Sequence, residues 1–201
     1  MFWLPLFVCA VAGDLVAGEA AEGTLRTLLV RPVGRLQVLA AKFIVAVLHA
    51  GAIVLFLGAA SLGIGALFFG VGDLVLLERG ITILPMREAL LLLAQAYALS
   101  ILAMVAVASL AFCLSTLVDN SIFAIGATMM VIMVSGILGL VPSFEEVHPY
   151  LITTHMQLWE HLFDYSVPWD EIRVSAAWLL GRIAVFLAGA VDVFRRKDIL
   201  S

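Results

Sequence analysis

Charged residues are scarce in this sequence, because Asp, Glu, Lys and Arg together make up only 13% of its 201 residues. Ordinary globular domains are about a quarter charged and roughly half apolar. Here 64% of the residues are hydrophobic and the mean hydropathy is +1.15. One soluble core could not absorb this excess while leaving enough polar residues to cover the surface. The composition therefore excludes a soluble protein and requires many apolar side chains to face lipid.

Cysteine is almost absent, and the sequence also lacks a clustered basic surface. Cys9 and Cys113 are far apart, and each lies inside an apolar run, so they form neither a disulfide framework nor a CxxC motif for metal or redox chemistry. We interpret both as small core residues. The net charge of −4, with no basic face, makes nucleic acid an unsuitable partner.

What the sequence has instead is a set of long apolar runs. A helix needs about 20 residues to cross the hydrocarbon core of a bilayer. Five candidate spans follow: residues 2–17, 43–71, 89–118, 122–141 and 174–191. No segment alternates with a period of two, which excludes a transmembrane barrel. We expect one all-α domain over residues 1–201, a polytopic transmembrane helical bundle with a cytoplasmic coupling helix and an outer interfacial helix.

Small residues mark two of these spans. In the second, Gly63 and Gly65 predict a break or a point of close packing. In the third, small side chains recur along the run at Ala94, Ala98, Ala103, Ala106 and Ser109. Because lipid is as apolar as the helices, close approach through small residues holds membrane helices together. We expect the third span to pack tightly against its neighbours.

Basic residues near the span ends predict the orientation of the chain. They are concentrated between the first two spans and after the last: Arg26, Arg31, Arg35, Lys42, Arg195, Arg196 and Lys197. This places the C-terminus in the cytoplasm and the N-terminus outside, in a multi-pass protein of the plasma membrane. Because the number of spans is odd and the first has no polar leader, we expect that an N-terminal span is missing, through truncation or start-site assignment.

The connector between the first two spans, residues 18–35, has the pattern of a short amphipathic helix. One apolar stripe at helical spacing contains Ala21, Leu25, Leu28 and Leu29. Glu22 and Arg26 form an i,i+4 pair on another face, and Pro32 prevents the helix from continuing past about Arg31. The alternative is an interfacial helix that rests among lipid headgroups. The acidic residues argue against a simple anionic-lipid anchor.

The connector resembles the signature of ABC-2-type transporter permeases, in the residues Glu19-x-x-Glu22-Gly23-Thr24-Leu25-x-x-Leu28-Leu29-x-x-Pro32-Val33-x-Arg35 with Lys42 following. The ending Phe194-Arg195-Arg196-Lys197-Asp198-Ile199 is similar to the C-termini of many such permeases. The resemblance implies a membrane subunit whose coupling helix docks on a separate ATP-binding cassette ATPase, with a second permease copy or homologue completing a dimer. Members of the family usually carry six spans, so the five spans here are a departure.

The resemblance and the amphipathic pattern together assign roles to the connector. Polar residues are expected to contact the ATPase or to fix the helix: Glu19, Glu22, Thr24, Arg26 and Arg31. Apolar ones are expected to seat it against the bundle: Leu25, Leu28 and Leu29. Gly23, Pro32, Arg35 and Lys42 complete the ATPase-coupling set. No GxxxxGK[ST] phosphate loop occurs in the sequence, so we expect no enzyme and no cofactor in this chain, with ATP and magnesium bound by the partner.

Two polar residues within the spans are candidate site residues. Arg182 lies inside the last span, where a charge is costly and usually paired. Pairing with Asp192 or another acid, or capping of carbonyl groups, is favoured over substrate contact. His49, in the second span, is interpreted as a hydrogen-bonded structural histidine rather than a site.

The outer loop, residues 142–173, contains three histidines, His148, His155 and His161. Their spacing contains no H-x3-H ligand pair, which disfavours a metal site. Apolar residues in the same loop recur near helical spacing at Ile152, Met156, Trp159 and Phe163. This pattern favours a helix that lies at the outer leaflet or dips into it.

Three classes of function remain to be compared. A transport subunit working in the export direction is favoured, because nothing in the chain points to a binding protein that delivers substrate. An intramembrane enzyme would need HExxH, a Gly-x-Ser-x-Gly nucleophile or paired intramembrane Asp residues, and the sequence has none. The alternative is an ATPase-independent carrier or channel, which would usually place several ionisable residues at mid-membrane.

Overall fold

Five long helices dominate the structure. The computed structural model describes residues 3–24, 34–76, 82–164 and 167–196. The long helices are α1 (Trp3–Ala21), α2 (Arg35–Phe69), α3 (Met86–Leu117), α4 (Ser121–Leu140) and α6 (Trp169–Arg196). Each is long and apolar enough to cross a membrane. The expected all-α bundle with five spans is confirmed.

Four of the five helices, α1, α2, α3 and α6, are longer than the predicted spans, because polar residues at one or both ends continue the helix past the apolar run, whereas α4 matches its span within one residue. At 35 residues, α2 is about 50 Å long, well beyond the roughly 30 Å of hydrocarbon. The predicted break at its glycines is wrong, since α2 is continuous through Gly63 and Gly65. The close-packing alternative is wrong too within the part of the chain that the structure describes, because a Cβ at either glycine would meet none of its atoms within 4 Å.

The long helices alternate in direction, which gives the bundle two ends. The end of α1, the start of α2, the end of α3, the start of α4 and the end of α6 lie together, and we call this the connector end. We call the opposite end the hairpin end, because the strands β1 (Leu74–Leu76) and β2 (Thr82–Leu84) lie between α2 and α3 there.

The central helix is α3, which packs against each of the other four long helices. Its buried face is lined by small residues: Ala103, Ala106, Ala108, Ser109 and Ala111. Three of the five small residues singled out in the sequence lie on this face. Ala94 and Ala98 are exposed and lie on another side of the helix. The prediction of close packing is therefore right for the second half of α3.

The hairpin end contains the short strands, which the sequence analysis did not predict. β1 and β2 pair antiparallel with Leu74 opposite Leu84. The Asp73 carboxylate accepts a hydrogen bond from the Met86 amide at 3.1 Å, which caps the start of α3. The pairing satisfies backbone groups of the two strands themselves, in the segment between α2 and α3.

The outer loop forms a cap rather than the single interfacial helix that was predicted. It consists of a 3₁₀ helix over Pro142–Tyr150, the short α5 (Ile152–Met156) and a second 3₁₀ helix over Leu158–Phe163. Leu158 and Leu162 are each 2% exposed and belong to the main core. The cap consists of short pieces that pack onto α3, α4 and α6.

The packing on α3 leads to a first prediction. Ala106 is fully buried between helices, so Ala106→Leu should force α3 and its neighbours apart and cost about 1 to 3 kcal/mol of stability. Ala98→Leu, on the exposed side of the same helix, is the matched control and should have little effect. Thermal unfolding in detergent compares the two variants. Equal stability of both would contradict the central role of the small face.

Candidate functional site

The connector end holds an ion pair between α1 and α2. Lys42 Nζ lies 2.6 Å from Glu19 Oε2 and also donates a hydrogen bond to the carbonyl of Leu15. The Lys42 side chain is 10% exposed and that of Glu19 is 35% exposed. One ammonium thus joins two positions on α1 that are four residues apart, and so fixes α1 to α2.

The ion pair is expensive to disrupt because one partner is buried. Removing one member of a buried pair leaves an uncompensated charge in a medium that solvates it poorly. Lys42 has little access to water, whereas Glu19 can be partly hydrated. Breaking the pair therefore destabilises the fold mainly when it leaves the lysine ammonium buried without a counter-charge. Both residues belong to the predicted coupling set, but the sequence does not predict that they pair.

The last turn of α1 is closed by local hydrogen bonds. The amides of Glu22 and Gly23 donate to the carbonyls of Gly18 and Ala20 at 3.0 and 3.2 Å. Gly23 has φ of 70°, a left-handed conformation that glycine adopts without strain and that commonly ends helices. Thr24 Oγ1 donates to the carbonyl of Glu19 at 3.3 Å. The Gly-Thr pair of the signature thus has a structural reason here: it stops α1.

The start of α2 is equally well defined. Gly34 precedes the helix in an extended conformation, and its amide donates to Oε1 of Gln37 at 3.2 Å. Arg35 follows as an exposed residue in the first turn. Eight residues into the helix, Lys42 forms the ion pair with Glu19. Both ends of the connector are therefore held in fixed positions relative to the bundle.

A serine on α3 provides a second attachment for α1. Ser115 Oγ accepts hydrogen bonds from the amides of Val16 and Ala17 at 3.2 and 2.9 Å, and donates to the carbonyl of Gly13 at 2.6 Å. A side chain that forms hydrogen bonds with the backbone of another helix fixes how the two helices are aligned along their axes. Ser115 is not among the site residues predicted from the sequence. The available signal was a hydroxyl residue near the end of an otherwise apolar span, where polar groups act between helices.

An apolar cluster joins four helices beneath the connector. Its buried members are Val16, Leu39, Phe112, Ala190 and Phe194. The Phe43 ring packs on that of Phe112 with centroids 5.5 Å apart. Val16 belongs to α1, Leu39 to α2 and Phe194 to α6, so the cluster ties both ends of the connector to the rest of the bundle. We call this the connector cluster.

The structure places half of the predicted coupling set at this site. The described members are Glu19, Glu22, Gly23, Thr24, Arg35 and Lys42. The other members lie outside the described residues: Leu25, Arg26, Leu28, Leu29, Arg31 and Pro32. The amphipathic helix predicted for residues 18–35 lies mostly outside them too. What the structure shows is that α1 continues to Ala21 and that the chain turns at Gly23.

Arg182 and His49, the two polar residues predicted as candidates, lie within the spans. Arg182 donates from Nη1 to the carbonyl of Leu151 at 3.1 Å and from Nη2 to that of Tyr150 at 2.8 Å. Of the alternatives considered, carbonyl capping is the one observed, since Asp192 pairs with Arg196 instead. His49 Nε2 is buried and has no hydrogen-bond partner among the described residues, which contradicts the predicted hydrogen-bonded role.

The loop histidines have separate environments. His155 Nε2 bonds the carbonyl of Pro149 at 2.9 Å, and its ring stacks on Trp178 at 6.4 Å. His161 Nδ1 lies 3.3 Å from Asp164. Within the described ranges, no group of three or more His, Cys, Asp or Glu residues is placed to hold a metal ion. Burial lowers the pKa of His155, the bond to Pro149 raises it, and the Arg182 charge lowers it.

Comparison with known proteins assigns a family. A family model described as "Protein of unknown function (DUF2705)" matches residues 1–200. Because this match covers nearly the whole chain, the protein belongs to the DUF2705 family. No curated protein matches the sequence.

The ion pair at the connector end leads to a second prediction. Glu19→Gln should cost about 3 kcal/mol, because it leaves the buried Lys42 ammonium without a counter-charge. Lys42→Met should cost less, because Glu19 can reach water. The free energy of unfolding in mixed detergent measures both effects. In the double variant the loss should be smaller than the sum of the two, and additive losses would show that the charges do not interact.

The buried His155 leads to a third prediction. Its pKa is lower in the folded protein than its ordinary value of 6.5. As the pH falls through about 6.5, the unfolded chain takes up the proton first, so the folded state loses stability until its own lower pKa is passed. The thermal midpoint in detergent should fall between pH 7.5 and 5.5. His155→Gln should reduce this fall, and an unchanged pH dependence would contradict the assignment.

Proposed function

We propose that this DUF2705 protein is the membrane-spanning permease subunit of an ABC transporter, which works in the export direction with a separate ATP-binding subunit. The observation that supports this proposal most is the attachment of the α1–α2 connector at both of its ends. The Lys42–Glu19 ion pair joins the two helices beside it, and the connector cluster ties them to α3 and α6. The likeness of the connector to ABC-2-type permeases supplies the family context.

Mechanical coupling requires stiff attachment. A soluble motor can move membrane helices only if the segment that it pushes transmits displacement instead of absorbing it. At the connector end, a displacement of residues 22–34 would act on α1 through the last turn and on α2 through its first turn. Ser115 then links α1 to α3, which contacts every other long helix. The proposed path is therefore continuous from the connector to the centre of the bundle.

The exposed residues of the connector end suit a polar partner. Glu22, Gly23 and Thr24 are exposed, as is Arg35 at the start of α2. Carboxylates and guanidinium groups in such positions give orientation and specificity in docking. This distribution supports docking of a protein subunit against the connector. We propose that the ATP-binding subunit, with its bound ATP and magnesium, occupies that position.

The membrane setting and assembly follow from the same proposal. Under the positive-inside rule, the basic residues of the connector end support the proposal that this end and the C-terminus face the cytoplasm, and we propose the plasma membrane as the location. A second copy or a homologue would complete the translocation path. The alternative is an ATPase-independent carrier or channel, which would function without any protein docked at the connector.

The fourth prediction tests docking with a charge reversal. Glu22→Arg should reduce co-purification of an ATPase that contains a phosphate-binding loop by about tenfold, the effect of about 1.4 kcal/mol at a protein interface. Asp192→Arg is the matched control, because Asp192 is an exposed acid at the same end of the bundle. Quantitative mass spectrometry of affinity-purified complexes gives the measurement.

The outcomes separate the two functions. Loss of the ATPase in Glu22→Arg with retention in Asp192→Arg supports coupling through the connector. Equal recovery of the ATPase in both variants would place the docking surface elsewhere. If transport persists in vesicles without ATP or any associated ATPase, the carrier or channel alternative replaces the proposal.

A further inference from the structure

A groove lies on the side of the bundle between α4 and α6, away from the connector end. Its volume is about 480 Å³, within the range of roughly 300 to 1,000 Å³ that small-ligand sites occupy. Leu110 of α3 lies at its floor. One wall is formed by apolar residues of α4, including Met130 and Val134, and Phe186 of α6 lines the opposite side. Met130 and Val134 are 67% and 45% exposed, so the groove opens outward.

Arg182 is the one charged residue among the described residues that line this groove. A guanidinium has five N–H groups, and two of them donate to the carbonyls of Leu151 and Tyr150. The remaining N–H groups have no partner within the described ranges, and no carboxylate pairs with the side chain there. A fixed guanidinium with free donors suits a phosphate, which can accept two parallel hydrogen bonds.

The position of Arg182 agrees with the geometry of a lipid. Side chains on a helix point toward its N-terminus, which for α6 is the hairpin end. Arg182 accordingly reaches Leu151, and Leu151 lies 3.7 Å from the position of a Cβ at Gly139, in the last turn of α4. The guanidinium is thus near the level where α4 ends. The apolar wall continues about two turns deeper, from Leu138 to Met130.

We propose that this groove binds an anionic phospholipid, with the headgroup phosphate on Arg182 and an acyl chain along the apolar wall. The occupant is identified by complementarity of charge at one end and of apolar surface along the rest. The Ser135 hydroxyl, which also lines the groove, is already engaged by Thr153, through Oγ1 at 3.0 Å and the amide at 3.3 Å, so Arg182 supplies the main polar contact. The inference does not depend on the proposed transport function, since it concerns only binding at the outside of the bundle.

The experiment uses the purified full-length chain in detergent and native mass spectrometry. Phosphatidylglycerol and phosphatidylcholine with identical acyl chains are titrated separately. The wild type should bind phosphatidylglycerol about tenfold more tightly, because only this headgroup has a net negative charge for the guanidinium. Arg182→Gln should abolish the preference, and Arg182→Lys should retain part of it. Equal affinities for the two lipids in the wild type would overturn the proposal.

A second variant tests the groove without removing the carbonyl cap made by Arg182. Val134→Trp fills the groove and should weaken binding of both lipids by about tenfold. Val185→Trp is the matched control, because Val185 is 68% exposed on α6 and does not line the groove. If Val134→Trp disrupts a dimer while lipid binding is unchanged, the groove belongs to an interface between copies and the proposal is wrong. Full competition by inorganic phosphate alone would likewise overturn the lipid assignment.

Discussion

The fold depends on close packing between helices that have no solvent-driven reason to associate. In a bilayer, apolar side chains gain little free energy by exchanging contact with lipid for contact with another helix. Helices therefore associate through surfaces that fit together closely. The small face of α3 provides this fit, with Ala106, Ala108 and Ala111 each fully buried. All four other long helices pack on α3. The connector end and the groove between α4 and α6 both lie where helices packed on α3 meet.

At the connector end, polar interactions also fix how the packed helices are aligned along their axes. A buried ammonium joins α2 to two positions on α1, and the Ser115 hydroxyl joins α3 to the α1 backbone. Such contacts permit few alternative arrangements, because a slip of one residue would leave Lys42 buried without its partner. Gly23, in a left-handed conformation, ends α1 just beyond these contacts. The result is a connector with two fixed ends, which is the property that the proposed coupling to an ATPase needs.

Much of the architecture could be predicted from composition and run length alone. Five spans follow from apolar runs, and the packing of α3 follows partly from small residues such as Ala103 and Ala106. The pairing of Glu19 with Lys42 could not be predicted, because two residues on different helices meet only through tertiary structure. The cap was mispredicted because Leu158 and Leu162 are buried by contact with α3 and α6, whereas periodicity describes only a local helix. Six residues of the predicted coupling set lie outside the described residues, and their roles stay predictions.

The central claim is that a nucleotide-binding protein docks on the connector. The most direct measurement is photocrosslinking in native membranes from an unnatural amino acid at position 22, with position 192 at the same end as the reference. The account predicts a crosslink from position 22 to a protein with a phosphate-binding loop, whose yield changes when ATP is added, and none from position 192. Crosslinks from position 22 only to lipid or to the chain itself would contradict the account.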